Sequence, residues 1–124
     1  MRIAIPVFGN RISPRFDFAL EFGLFETVGK IIMDRKDISC EGWGDGERVS
    51  RLKNLGVDAL ICGGLPKHLR DALADSGIRV IPWIAGNAEE ALALFLEERL
   101  DPGMVICSGR GKGRRCGREI KSQN

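Results

Sequence analysis

From Arg2 to Phe8 the apolar residues Ile3, Ile5 and Val7 recur at every second position around a small Ala4, and this period predicts a buried first strand. Pro6 cannot donate to a ladder, so pairing on its side is expected to have ended by that residue. A loop, Gly9-Asn10-Arg11-Ile12-Ser13-Pro14-Arg15, is expected next. Residues 22–28 and 31–35 are β-rich runs separated by Gly29-Lys30, which reads as a tight hairpin of a second and a third strand. The glycine-rich run Cys40 to Gly46 predicts a loop.

Beyond Glu47 the period lengthens. Val49, Leu52 and Leu55 stand at helical spacing, with Gly56 where a left-handed cap would close the helix. Residues 57–62 form an apolar run without alternation, as expected of a strand covered on both faces, and Gly63-Gly64 ends it. Pro66 opens a second helix with Leu69, Ala72 and Leu73 along its stripe, and Gly77 closes it. Residues 78–81 make a fifth strand. Asn87-Ala88-Glu89-Glu90 resembles a capping box, leading a third helix that buries Ala88, Ala91, Leu92, Phe95 and Leu96 and is expected to stop at Asp101-Pro102-Gly103.

The order β-β-β-α-β-α-β-α is an antiparallel meander followed by two crossover units. Right-handed crossovers place the strands in the spatial order 3-2-1-4-5, with strand 2 antiparallel and helices on both faces, a three-layer α/β/α arrangement. The first and fourth strands become neighbours whose carboxyl ends flank a crevice, the expected ligand position.

Two turns should face each other there: Gly9 to Arg15, and Cys62-Gly63-Gly64-Leu65-Pro66. From the first, Gly9, Asn10, Arg11, Ser13 and Arg15 are candidate contacts; from the second, Cys62, Gly63, Gly64, Lys67 and His68. Arg11, Arg15 and Lys67 supply positive charge, and a helix start offers free N–H groups, so a phosphate, an oxyanion or a polyanionic metal cluster suits the place. Two readings stay open for several of these residues. Gly63-Gly64 either admits a ligand to the backbone or only makes a tight turn. Cys62 is either a metal ligand or a small buried hydrophobe. His68 is either a ligand or a solvated residue between basic neighbours. Trp43 and Trp83 read as half-buried packing groups.

The blocks Ile3-Ala4-Ile5-Pro6, Ser13-Pro14-Arg15-Phe16, Leu60-Ile61-Cys62-Gly63-Gly64 and Gly77-Ile78-Arg79-Val80 before Asn87-Ala88-Glu89-Glu90-Ala91 resemble, in order and spacing, the dinitrogenase iron-molybdenum cofactor biosynthesis family. The resemblance runs over about residues 1 to 100. It implies a ribonuclease H-like fold and binding of an iron-molybdenum cofactor, a precursor or a related iron-sulfur cluster without catalysis, with a cluster donor or acceptor protein as partner. The chain departs from the family where His-Phe-Gly often follows the Ser-Pro pair, because Arg15-Phe16-Asp17 stands there and supplies no imidazole. Two-metal nuclease chemistry on such a fold needs a carboxylate on the first strand, and residues 2–8 contain none.

Charge divides the 124 residues unevenly. Residues 1–109 carry 13 basic and 16 acidic side chains, whereas residues 110–124 carry 6 and 1. The division suggests a cofactor-binding domain over residues 1–106 and a basic Gly/Arg/Cys tail over 107–124 that cannot build a core. Cys107 and Cys116 in the tail are candidate metal ligands, a candidate redox pair or incidental, and their arginine neighbours favour thiolate chemistry. The tail is alternatively the contact surface of a regulatory or interaction module for an anionic partner. No aromatic residue interleaves its basic ones, so nucleic acid is not the expected partner. With no signal-peptide pattern and no apolar run of membrane-spanning length, a cytoplasmic location is expected, where the four cysteines serve as thiols or ligands.

Overall fold

Ile3, Ile5 and Val7 of β1 (Arg2–Phe8) face one side of a mixed sheet and Ala4 the other, and all four are buried. The computed structural model describes residues 1–106. After β1 come the short β2 (Arg11–Ile12), a single 3-10 turn (Phe16–Phe18), β3 (Glu21–Val28) and β4 (Ile31–Ser39). Then follow α1 (Asp45–Asn54), β5 (Ala59–Ile61), α2 (Lys67–Asp75), β6 (Arg79–Ile81), β7 (Ala85–Gly86), α3 (Ala88–Leu96) and β8 (Val105–Ile106).

The strands lie in the order β4-β3-β1-β5-β6. The hairpin side is antiparallel, while β1, β5 and β6 run parallel. The pleat sorts their side chains. Ala59 and Ile61 of β5 join Ile3, Ile5 and Phe25 beneath α3, whose Ala88, Ala91, Leu92 and Phe95 close that face. Leu60 joins Ala4 and Phe22 on the opposite face, under Val49 and Leu52 of α1 and Leu69 and Leu73 of α2. Each fully buried Leu, Ile or Phe contributes about 1.5–3 kcal/mol, so the alternation in these short strands holds the two helical layers in place.

Pro6 behaves as its chemistry requires. Parallel pairing of β1 with β5 covers only Ile3 and Ala4, and beyond it β2 takes the place beside β1. The Pro6 carbonyl accepts from the Ser13 amide at 2.8 Å on that same side, so the missing N–H falls where no ladder asks for it.

The segment expected as a plain loop over residues 9–15 contains β2, held by only two residue pairs, too short to leave a periodic signal. The third expected strand continues from Arg35 to Ser39. As the sheet's edge it is exposed along almost its whole length, so no apolar alternation marks its end. β7 and β8 form an unexpected two-stranded parallel sheet. The third helix ends at Leu96, before Asp101-Pro102-Gly103, with Glu97 as its C-terminal cap. Its start is as read, because Asn87 Oδ1 accepts from the Glu90 amide at 2.9 Å. Among the described residues no helix is long and apolar enough to cross a membrane.

Candidate functional site

β1 and β5 are parallel neighbours, so the segments that follow them emerge at the same end of the sheet. The Gly64 amide donates to the Pro14 carbonyl and the Phe16 amide to the Gly64 carbonyl, both at 2.8 Å. The two turns expected to face each other are thus joined directly. The segment after β6 is stitched in as well, with the Trp83 amide donating to the Gly63 carbonyl at 3.0 Å and the Ile84 amide to the Cys62 carbonyl at 2.9 Å. The Asn10 carbonyl accepts from the Ala88 amide at 2.9 Å, tying the first loop to the start of α3.

This stitching uses up the double glycine. A Cβ on Gly63 would stand 2.5 Å from the Pro14 oxygen and 2.6 Å from the Ser13 oxygen. One on Gly64 would stand 2.8 Å from Cζ3 of Trp83. Both positions are glycine because protein backbone and indole approach them, so the tight-packing reading accounts for the pair without a ligand.

Beside the seam an open groove of about 310 Å³ remains, walled by Phe8, Arg11, Pro14, Gly64, Trp83 and Ala85. Phe8 is 76% and Trp83 59% exposed, large apolar rings left in water on either side of it. Trp83 also holds a left-handed backbone, φ 63°, which is costly for a bulky residue and fixes the indole at the rim. Arg11 has no carboxylate partner among the described residues, so its charge is available to the groove. A second hollow of about 410 Å³, lined by Met1, Gly29 and Arg79, lies at the opposite end of the sheet. The groove is the better candidate, because it sits where the carboxyl ends of the parallel strands meet.

The other expected site residues are placed as follows. Gly9 and Asn10 are exposed in the turn before β2. Ser13 is buried, its hydroxyl donating to the Arg15 carbonyl at 3.1 Å, and it shapes the turn without facing the groove. Arg15 is held by both oxygens of Asp17, at 3.0 and 2.9 Å, and lies over the Phe18 ring. Asp17 therefore takes up the charge of Arg15 that was expected to meet a ligand. Lys67 pairs with Asp71 at 2.9 Å, and His68 Nε2 lies 3.5 Å from Asp45; both side chains are exposed on α2.

Cys62 departs furthest from its expected role. Its side chain is fully buried on the α1/α2 face among Leu60, Leu65 and Leu69, and burial pushes its thiol up to about 12. It presents a packing group to the core and no sulfur to the groove. Cys107 and Cys116 lie outside the described residues. Among the described residues no group of three His, Cys, Asp or Glu side chains is placed to hold a metal ion.

Phe8 and Trp83 were not singled out as site residues by the sequence. Periodicity tells which face a residue takes but not that a ring at a strand's end stays in water, and the Trp83 backbone has no local signature. Trp43, by contrast, packs as read, half-buried against Phe22 and with the Arg51 guanidinium over its ring.

The model of the family described as dinitrogenase iron-molybdenum cofactor matches residues 1–98. The chain belongs to that family. An uncharacterised protein of Methanocaldococcus jannaschii, MJ0580, is 28% identical over 107 residues, which cover 82% of this chain and 90% of that one. The solved structure of PH0822 superimposes with a TM-score of 0.77 at 18% identity, covering 82% of this chain and 94% of its own. The apo form of the orange protein from Desulfovibrio gigas gives 0.69 at 20% identity, covering 82% and 91%. These two structures establish the likeness of fold, and the family match establishes a cofactor-related or carrier kinship.

Proposed function

We propose that this protein binds and carries an anionic metal cluster, of the iron-molybdenum or iron-sulfur type, or a related oxyanion, in the groove beside the joined turns. The observation that carries the reading is Arg11, a cation with no carboxylate partner among the described residues, on an aromatic-walled groove at the carboxyl ends of β1 and β5. The described walls carry no carboxylate, imidazole or thiol to move a proton or attack a bond, which favours holding a cargo over transforming it. Membership of the family points the same way.

On this reading residues 1–106 are a ribonuclease H-like carrier domain and residues 107–124 a distinct basic segment. Cys107 and Cys116 are the thiols that remain once Cys40 and Cys62 are assigned to the core. A donor or acceptor protein would exchange the cargo across the exposed rim of Phe8 and Trp83.

The test is anaerobic incubation of the full chain with ferrous iron, sulfide and molybdate, followed by metal analysis and visible absorption. A coloured protein is expected, with Arg11→Glu retaining about five- to tenfold less metal, the worth of one partly solvated charge-assisted contact. Loading should quench Trp83 fluorescence, so Trp43→Phe keeps the quench and Trp83→Phe loses it. A colourless, metal-free protein after reconstitution overturns the proposal.

A further inference from the structure

A third hollow, of about 500 Å³, is lined by Leu65, Lys67, Arg70, Asp71 and Trp83. Trp83 is the one residue it shares with the groove. Its volume falls in the range of about 300–1,000 Å³ over which small-molecule sites are found. Carriage of a cargo in the groove makes no use of it.

Two features make this lining selective. The indole of Trp83 is fixed before any ligand arrives, by its left-handed backbone and by the close packing of its six-membered ring on Gly64. A large apolar ring held in water this way can be covered by a ligand with little further ordering of the protein. The second feature is charge. Arg70 is exposed and has no carboxylate partner among the described residues. Burial raises the Cys62 thiol and the Arg70 charge works against that rise, which puts the guanidinium within electrostatic reach of the residue that follows β5. Lys67 adds a second cation. Its contact with Asp71 joins side chains 87% and 59% exposed, and a solvated i,i+4 pair of this kind yields easily to a stronger anion. Asp71 is the only acidic residue of the lining, so two basic groups outweigh it.

We propose that this hollow is a second binding site, separate from the groove, for a planar ring that carries a phosphate, the chemistry of a mononucleotide. The ring lies against Trp83 and Leu65, and the phosphate is held by Arg70 and Lys67. A guanidinium fork matches the spacing of phosphate oxygens, and the ammonium supplies a second positive charge. Stacking on an indole tolerates any flat base, so the site selects for a ring with a phosphate and little for the identity of the ring. Neither a thiol nor an imidazole lines the hollow, and its one carboxylate is engaged by Lys67, so the ligand is bound and released unchanged.

The experiment uses the full chain carrying Trp43→Phe, in which Trp83 is the only indole. AMP, adenosine and inorganic phosphate are each titrated in, with Trp83 fluorescence and calorimetry as readouts. AMP should quench the indole to saturation, while adenosine and phosphate, each keeping half of the contacts, bind about tenfold or more weakly. Added to that background, Arg70→Ala should weaken AMP about five- to tenfold, and Asp71→Asn should tighten it about twofold. Arg11→Glu, on the groove, should change it by less than about twofold. An AMP titration without saturable quenching overturns the proposal, as does AMP binding no tighter than phosphate alone. A loss on Arg11→Glu as large as that on Arg70→Ala overturns it too, because the ligand then sits in the groove. None of these readouts involves metal, so the cluster reading of the groove stands or falls separately.

Discussion

Nη1 of Arg48 lies 3.3 Å from Sγ of Cys40, and the two residues are 4% and 0% exposed. No carboxylate joins them. The guanidinium instead donates to the Ala19 carbonyl at 2.9 Å and the Phe16 carbonyl at 3.4 Å, while the Cys40 thiol donates to the same Ala19 oxygen at 3.1 Å. Burial raises the Cys40 thiol and Arg48 works against that rise without reversing it. One side chain of α1 thereby staples the 3-10 turn between β2 and β3 to the end of β4, behind the groove.

Removing the staple leaves buried carbonyls short of a donor, at about 1–3 kcal/mol for such a group. Arg48→Ala is expected to lower unfolding stability by roughly 2–3 kcal/mol, read from the midpoint of urea denaturation at unchanged slope. A change below about 0.5 kcal/mol, the range of an ordinary surface substitution, would show that the contact does not hold the turn.

Alkaline pH should weaken the fold through Cys62. Its thiol is pushed up to about 12 in the folded chain, from an ordinary value near 9 that it recovers on unfolding. Between those values the unfolded chain has lost a proton that the folded chain keeps, so stability falls as pH rises from 9 toward 12 and is fully present below 9. The loss is of the order of 2 kcal/mol by pH 10.5. Denaturation curves at pH 7, 9 and 10.5 measure it, and Cys62→Ala, though less stable throughout, should show a flatter decline over the upper interval.

Two glycine-to-alanine changes should differ in sign. Gly63→Ala puts a methyl 2.5 Å from the Pro14 oxygen, where backbone must move, and is expected to cost about 3 kcal/mol. Gly46→Ala, in the first turn of α1 with nothing within 4 Å of the added carbon, should be neutral or stabilise by up to about 1 kcal/mol. Thermal melts of the pair decide it; equal losses would mean that the seam between the two turns is not tightly closed.

What was legible in the chain was legible for local reasons. Alternation in residues 2–8 marked β1, the three-to-four spacing of Leu69, Ala72 and Leu73 marked α2, and Asn87 marked the start of α3. Each signal is a relation between residues a few positions apart. Of the family blocks, that at residues 3–6 lies in β1 and that at 87–91 opens α3, while the others fall at the end of β5, over the start of β6 and in the loop before the 3-10 turn, and together they let residues 1–98 be read as a mixed α/β domain with three helices. The far end of edge strand β4, beyond Arg35, and the short strands β2, β7 and β8 left little trace, since exposure on both faces or a length of two residues removes the periodic contrast.

The site was decided by packing across the chain. Identical local patterns allow Gly63-Gly64 to welcome a ligand or a neighbouring backbone, and only the arrival of Pro14 and Trp83 chose the backbone. Cys62 had two faces open to it until the pleat of β5 turned it toward α1 and α2. Arg11 and Arg15 are equal in sequence, yet Asp17 neutralises one and leaves the other on the groove. Sequence determined which elements form, because that depends on near neighbours; which side chains are free to meet a ligand depends on residues far along the chain, and that only the folded arrangement decides.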